Sequence, residues 1–331
     1  MSRPKTSAFA LGLAAALLLA ATPTPAQSPA PEKLSLRLGF TLSGLRLPYV
    51  AALQKGYYRA ENLDVDIKEG QGGVSVAQLI ATGNVTIGDI GVGTIVPLRD
   101  KGIMLRMIAV YGQQSDYGIL AWKTKGVATP KALAGKTLGL SPGEAPVLFL
   151  PAFFAAVGVD DASVRRIPLE PTVKFTTFQA GRVDAITVLS TSLPPAYFER
   201  RDETSLFLYG DHGFKLLGNG LVVSEETLRD RRDALRRFLK ATDRGLKDCL
   251  ADPVECGRLA RQWKELANPD LLVKQWALYA PLLTSERTKG KPLGWADERD
   301  WLESIQTLQK HGMLKTPTRP QDVYTSELLP Y

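Results

Sequence analysis

The chain is poor in the residues that most catalytic centres need. Its 331 residues include two cysteines and two histidines, His212 and His311. This shortage argues against a zinc or iron centre. The chain also has no G-x-S-x-G turn, no H-E-x-x-H helix and no phosphate-binding Gly-rich loop. We therefore predict that the protein is not an enzyme and uses no cofactor.

Long apolar runs are also missing, except near the N-terminus. Arg3 and Lys5 precede an apolar run at positions 8–21, and small residues lead to Ala26. The run has the length of a signal-peptide core and is short for a membrane span. We predict a signal peptide over residues 1–26, with cleavage after Ala26. The alternative is a retained membrane anchor.

The charge is mildly positive, with 41 basic and 34 acidic residues. The basic residues Arg229, Arg231 and Arg232 alternate with acids, which is typical of a solvated helix face rather than a nucleic-acid-binding surface. Cys249 and Cys256 have six residues between them. In an oxidising compartment they can form a disulfide, and otherwise they are two buried thiols.

The remaining chain alternates strands with helices. Strands are predicted at 34–40, 63–67, 85–90, 103–111, 136–140, 164–169, 183–189 and 220–224. Helices are predicted at 48–62, 74–82, 93–101, 129–133, 145–156, 172–180 and 194–200, and over nearly all of 225–331. We interpret 111–122 as a crossing segment, and Asn62 as a left-handed helix stop. The pattern predicts an α/β protein whose mixed sheets are flanked by helices.

Ligands of open α/β sheets bind beyond the carboxyl ends of the strands. That rule selects five loops as candidate binding segments. They are Thr41–Leu45, Gly70–Ser75, Gly91–Thr94, Ser141–Ala145 and Ser190–Ser192.

Four segments in order carry a resemblance to the nitrate/sulfonate/taurine substrate-binding family, which includes binding proteins for thiamine pyrimidine precursors. They read LRLGFTLSGLRLPYVAALQKGYYRAENLDVDI, GGVSVAQLIATGNVTIGDIGVGT, LAGKTLGLSPGEAPVLFLPAFFAAVGVD and FQAGRVDAITV. The resemblance implies a periplasmic binding protein fold of type II, with a ligand cleft between two lobes. It also implies a monomer that delivers a small organic solute to an ABC permease.

The resemblance also implies a division of the chain. A disordered leader is expected at 27–33, the first part of lobe 1 at 34–115 and lobe 2 at 116–218. Residues 219–331 are expected to return to lobe 1 and to add the C-terminal helices. Localisation in the periplasm follows from this reading.

The first lobe offers hydroxyls, glycine backbone and one cation to a ligand. Arg46 is either a surface residue or a partner for a carboxylate or sulfonate, and Asp89 is expected to be structural. Tyrosines, including Tyr111, are either core residues or a stacking surface. The candidate ligand-binding residues here are Thr41, Ser43, Gly44, Arg46, Tyr49, Gly72, Gly73, Val92, Gly93 and Thr94.

In the second lobe, Glu144 decides the substrate chemistry. It either stabilises the start of a helix or faces the cleft, where it would favour an N–H donor such as an aminopyrimidine. Arg46 favours acids, so the sequence leaves sulfonates, carboxylates and pyrimidine precursors open. The candidate residues in this lobe and at the return crossing are Tyr117, Ser141, Gly143, Glu144, Ser190, Thr191 and Asn219.

Two other functions stay open at this point. The fold resembles the thiamine pyrimidine synthase, but that enzyme relies on a Cys-rich iron-binding motif and histidines, which this chain lacks. The second alternative is a ligand-sensing partner protein. No coiled coil or repeat favours it.

Overall fold

The computed structural model describes residues 1–2 and 30–330. Residues 3–26 of the predicted signal peptide and 27–29 of the predicted leader lie outside them, whereas the last two leader residues, Glu32 and Lys33, already belong to the first strand. The described chain contains ten strands. In chain order they are β1 (Glu32–Leu38), β2 (Leu63–Lys68), β3 (Ile87–Gly91), β4 (Leu105–Val110), β5 (Tyr117–Trp122), β6 (Thr137–Leu140), β7 (Arg165–Pro168), β8 (Ala185–Leu189), β9 (Thr204–Leu208) and β10 (Asn219–Ser224).

The strands form two five-stranded mixed sheets of the same design. The first sheet has the order β2-β1-β3-β10-β4 and the second has the order β7-β6-β8-β5-β9. In the first sheet β10 is antiparallel to both of its neighbours, and in the second sheet β5 is antiparallel to both of its neighbours. Each sheet therefore takes its fourth strand from a point where the chain has just crossed over from the other sheet. The predicted class, mixed sheets flanked by helices, is confirmed.

Thirteen α-helices cover the sheets within the described residues. They are α1 (Leu47–Gln54), α2 (Tyr57–Ala60), α3 (Gly73–Ala81), α4 (Val92–Ile95), α5 (Ala145–Leu148), α6 (Leu150–Val157), α7 (Pro171–Gln179), α8 (Pro195–Glu199), α9 (Glu225–Asp230), α10 (Arg232–Ala251), α11 (Pro253–Trp263), α12 (Pro269–Tyr279) and α13 (Glu298–Lys310). None of these helices has the length and apolar character required to cross a membrane.

The two crossings between the sheets run side by side. The Gly218 N–H donates to the Gly112 carbonyl at 2.8 Å, and the N–H groups of Tyr111 and Gly112 both donate to the Asn219 carbonyl at 2.9 Å. A Cβ atom on Gly218 would lie 2.6 Å from the Gln114 carbonyl oxygen. Glycine is therefore required there, because the two backbones approach too closely for any side chain.

Two strand predictions were incomplete. The crossing segment 111–122 contains β5, and residues 204–208 form β9. Every residue of β5 is buried. A strand covered on both faces shows no polar–apolar alternation, so its pattern does not distinguish it from other apolar segments.

Five helix predictions need correction. The segment 93–101 is divided into α4 and a 3₁₀ helix, Pro97–Lys101, and 129–133 is a 3₁₀ helix, Pro130–Leu133. The segment 48–62 is divided at Gly56, which has a φ of 71°, and 145–156 is divided at Phe149. The C-terminal region is less helical than expected, because 284–297 and most of 311–330 are irregular and rich in Gly and Pro. The predicted left-handed stop at Asn62 is confirmed by its φ of 54°.

Cys249 in α10 and Cys256 in α11 are joined by a disulfide and are fully buried. This decides between the two readings of the cysteines. The bond fastens the corner between α10 and α11 where these helices pack on α1.

Candidate ligand cleft

A cavity of about 690 Å³, counted to its open mouth, lies where loops from both sheets meet. Most of its wall comes from segments that follow β1, β2, β3, β6 and β8, as expected for the carboxyl ends of parallel strands. The lining residues are Gly39, Phe40, Thr41, Leu42, Ser43, Arg46, Gly72, Gly73, Asp89, Ile90, Gly91, Thr94, Glu144, Ala145, Pro146, Lys174, Phe175, Leu189, Ser192, Asn219 and Gln275.

On the first-sheet side, the wall contains a buried ion pair. Arg46 is 2% exposed, and its Nε donates to Asp89 Oδ2 at 2.7 Å. Its Nη1 donates to the Thr41 carbonyl at 3.1 Å and to Ser43 Oγ at 2.9 Å. Burial raises the pKa of the Asp89 carboxyl, and the Arg46 guanidinium opposes that shift. Arg46 is therefore not the surface residue that the sequence allowed.

On the second-sheet side, the wall contains another buried ion pair. Glu144, at the start of α5, pairs with the amine of Lys174 on α7. Its Oε2 also accepts from Thr187 Oγ1 at 2.8 Å and from the Ser141 N–H at 3.3 Å. Burial lowers the pKa of the Lys174 amine, and Glu144 opposes that shift. Glu144 lines the cavity, as the reading that placed it in the cleft required. Its negative charge is already paired with the Lys174 ammonium group.

Two phenylalanine rings flank the Lys174 amine. Its Nζ lies 5.7 Å from the centre of the Phe40 ring and 5.4 Å from the centre of the Phe175 ring. These distances are within the range of cation–π attraction. Phe40 follows the first strand, whereas Phe175 lies on α7 beside the second sheet. The two sheets therefore each contribute one aromatic ring to the cavity wall.

Several polar groups on the wall lack a protein partner. Thr94 Oγ1 and Ser192 Oγ are buried and make no hydrogen bond within the described chain. The side-chain amide of Asn219 and the Nη2 group of Arg46 also bond to none of the described residues, and both residues line the cavity. Buried polar groups normally have partners. A ligand with its own donors and acceptors can supply them.

The structure brings eight of the predicted site residues together on the cavity wall. They are Thr41, Ser43, Arg46, Gly72, Gly73, Thr94, Glu144 and Asn219. Nine predicted residues are not on the wall. They are Gly44, Tyr49, Val92, Gly93, Tyr117, Ser141, Gly143, Ser190 and Thr191.

Side chains that lie off the wall are engaged in the protein interior. The Tyr49 hydroxyl is 3.4 Å from Asp89 Oδ1, and the Tyr117 ring lies 5.5 Å from the Phe149 ring. Tyr111 is also a core residue. Thr191 Oγ1 donates to Asp116. The tyrosines are thus core residues here, and the wall's aromatic surface comes from phenylalanine.

Phe40, Lys174, Phe175 and Gln275 line the cavity but were absent from the predicted site. Phe40 directly precedes the loop 41–45, so the strand-end rule could have included it. Lys174 and Phe175 lie inside a predicted helix, and Gln275 lies in the C-terminal helices. No motif in the sequence marks these three positions.

The model of the NMT1/THI5-like family matches residues 46–256, which is more than half of the chain. The chain belongs to this family. It is similar to the riboflavin-binding protein RibY of Chloroflexus aurantiacus, with 26% identity over 94% of this chain and 90% of the relative. It is also similar to the formylaminopyrimidine-binding protein of Halalkalibacterium halodurans, with 24% identity over 95% of this chain and 96% of that relative.

Other relatives, at 22% to 24% identity, are named as 4-amino-5-hydroxymethyl-2-methylpyrimidine phosphate synthases. Among solved structures, the chain resembles the alkanesulfonate-binding protein SsuA of Xanthomonas axonopodis bound to MOPS. The TM-score is 0.65, with 14% identity over 91% of this chain and 99% of that one. This NMT1/THI5-like protein thus has the fold of the solute-binding proteins of ABC importers.

Proposed function

We propose that this protein binds a small, uncharged nitrogen heterocycle in the cleft and delivers it to an ABC permease. The observation that carries the ligand class is the charge balance of the wall. Its charged residues are two cations and two anions, joined as Arg46–Asp89 and Glu144–Lys174.

A charged ligand would disturb this balance. Each buried cation already has its carboxylate partner, so a sulfonate or carboxylate would add an uncompensated negative charge to the cavity. Burying an unpaired charge is strongly unfavourable. An uncharged ligand avoids this penalty. The paired state of Arg46 therefore weakens the earlier argument from Arg46 for acids, and the pairing of Glu144 with Lys174 leaves an N–H donor without an unpaired carboxylate to attract it.

The rest of the wall suits a polar ring. Phe40 and Phe175 offer apolar surface, while Thr94, Ser192 and Asn219 offer unpaired hydrogen-bonding groups. A largely apolar wall with a few convergent polar groups is typical of sites for small organic molecules. Riboflavin and formylaminopyrimidine, named for two relatives, are both nitrogen heterocycles with several donors and acceptors. This agreement supports the proposal.

The remaining steps follow from the family. The proposed setting is the periplasm, reached through a signal peptide that is removed after Ala26. The protein acts there as a monomer, and the solute leaves the cleft unchanged when the permease accepts it. Capture without chemistry distinguishes this function from that of the relatives named as synthases.

A ligand screen tests the proposal. Purified protein is heated with riboflavin, formylaminopyrimidine, an alkanesulfonate or nitrate, and its melting temperature is measured. A ligand at a hundred times its dissociation constant adds about 2.7 kcal/mol to the stability of the folded state. We expect the heterocycles alone to raise the melting temperature, and mass spectrometry to recover them unchanged. A rise with sulfonate or nitrate only would refute the proposed ligand class.

Removing the unpaired hydroxyls separates ligand binding from stability. Thr94→Val and Ser192→Ala each delete a buried oxygen that has no protein partner. Each is expected to weaken heterocycle binding about five- to tenfold, the effect of one lost hydrogen bond. Thermal stability should stay equal or rise, because an unsatisfied buried group is removed. Isothermal titration calorimetry and thermal melting measure the two effects.

Thr187→Val is the matched control for these variants. Its hydroxyl is also buried, but it donates to Glu144. This variant should lose thermal stability because Glu144 loses a donor. Unchanged affinity in both Thr94→Val and Ser192→Ala would show that neither hydroxyl contacts the ligand.

A further inference from the structure

One side chain from the C-terminal helices bonds to a segment of each sheet just behind the cleft wall. Gln275 on α12 lines the cavity and is 4% exposed. Its Oε1 accepts a hydrogen bond from the Gly44 N–H at 2.9 Å, and its Nε2 donates to the Leu193 carbonyl at 2.9 Å. Gly44 follows β1 of the first sheet, and Leu193 follows β8 of the second sheet. The carboxamide therefore links a segment that follows a strand of the first sheet to a segment that follows a strand of the second sheet.

A carboxamide is well suited to this position. The Gly44 group is a donor and the Leu193 group is an acceptor, so the side chain between them must accept on one side and donate on the other. Glutamine does both without a charge, whereas glutamate lacks the donor and lysine lacks the acceptor. Reversing the amide would place oxygen against oxygen and N–H against N–H.

Gln275 is anchored on the first-sheet side. Its neighbours Leu272, Trp276 and Tyr279 on α12 belong to the same hydrophobic cluster as the β1 residues. The loop that contains Gly44 packs directly on α12, since a Cβ atom on Gly44 would lie 2.3 Å from the backbone nitrogen of Trp276. The bond to Gly44 therefore lies within one packed unit. The bond to Leu193 is the one that reaches the second sheet.

We propose that Gln275 is a positioning residue that holds the cleft closed around its ligand, an inference that rests on the proposed function. The Nε2 bond to Leu193 exists only while the two walls are together. Opening the cleft breaks this bond, so the bond stabilises the closed form selectively. Its loss therefore accelerates ligand release and does not slow ligand entry.

Gln275→Met tests this role, because methionine has similar length and neither polar group. Tyr58→Phe is the matched control, since it deletes a buried hydrogen bond, Tyr58 to Thr242 at 3.0 Å, inside the first-sheet side. The probe is riboflavin or formylaminopyrimidine, whichever binds the wild-type protein more tightly. Stopped-flow fluorescence gives both rate constants, and small-angle X-ray scattering of the ligand-free proteins gives the radius of gyration.

In Gln275→Met, we expect ligand dissociation about tenfold faster than in wild type, as for one lost hydrogen bond. The association rate should not fall, and the ligand-free radius of gyration should be larger than in wild type. Tyr58→Phe should change thermal stability but neither the dissociation rate nor the ligand-free radius of gyration. Equal dissociation rates and equal radii in Gln275→Met and wild type would overturn the proposal. The scattering needs no ligand, so it decides the role of Gln275 even if neither probe binds, a result that would instead refute the proposed function.

Discussion

Replacing Arg46 with methionine is expected to lower the free energy of unfolding by about 3–5 kcal/mol, the usual cost of removing one partner from a buried ion pair. Asp89 is fully buried, and Arg46 is its only cationic partner in the described chain. Without Arg46, the carboxylate has no compensating charge. Thr41 and Ser43 also lose the donor that holds their loop. Urea unfolding followed by circular dichroism measures the loss.

Two further variants show whether the charge is responsible. In Arg46→Met/Asp89→Asn the unpaired carboxylate of residue 89 is also removed, and part of the stability lost in Arg46→Met should return. Arg229→Met deletes an arginine from an exposed pair with Asp230, and it should leave stability nearly unchanged because solvent screens such pairs. A double variant no more stable than Arg46→Met would show that the loss comes from packing.

Gly72→Ala is expected to weaken ligand binding roughly ten- to hundredfold. The backbone of Gly72, after β2, meets the backbone of Gly143, after β6, and a Cβ atom on Gly72 would lie 2.9 Å from the Gly143 carbonyl oxygen. Overpacking of this kind costs about 1–3 kcal/mol. The two loops belong to different sheets, so the strain is relieved by moving the walls apart. Calorimetry with the heterocycle that binds wild type measures the affinity.

Gly83→Ala is the control for backbone strain. Gly83 also has a positive φ, 74°, but a Cβ atom there would meet nothing within 4 Å. Both alanine variants should lose thermal stability, since alanine is unfavourable at positive φ. The loss of affinity should occur in Gly72→Ala alone. Equal affinities in the two variants would mean that the contact between Gly72 and Gly143 does not limit closure.

The wall residues that could be predicted from the sequence are those whose place follows from the order of strands and loops along the chain. Parallel strands place their carboxyl ends at one edge of a sheet, so the loops containing Thr41, Gly72 and Thr94 could be located from the strand pattern. Glu144 was found for the same reason, whereas Asn219 was selected because it lies at the return crossing. These positions depend on the order of elements along the chain, which periodicity and turn residues indicate.

The charge balance of the wall could not be predicted in the same way. It depends on pairs that are distant in sequence, Arg46 with Asp89 and Glu144 with Lys174. Sequence shows each charge but not its partner, so Arg46 and Glu144 led to opposite hypotheses about the ligand. Gln275 was missed because its partner Gly44 is 231 positions away. Such contacts follow from tertiary packing rather than from local pattern.

The position of β10 imposes an order on folding. All strands of the second sheet lie between Tyr117 and Leu208, so that sheet can assemble from one continuous segment. In the first sheet, β4 has β10 as its one strand partner among the described residues, besides a single bridge from Met107 to Tyr324, and both partners are made after the whole second sheet. Closing so long a loop is slow, because its entropy cost precedes the gain from contacts. Until β10 joins, one edge of β3 and the whole of β4 lack a strand partner, and such exposed edges invite pairing with other chains.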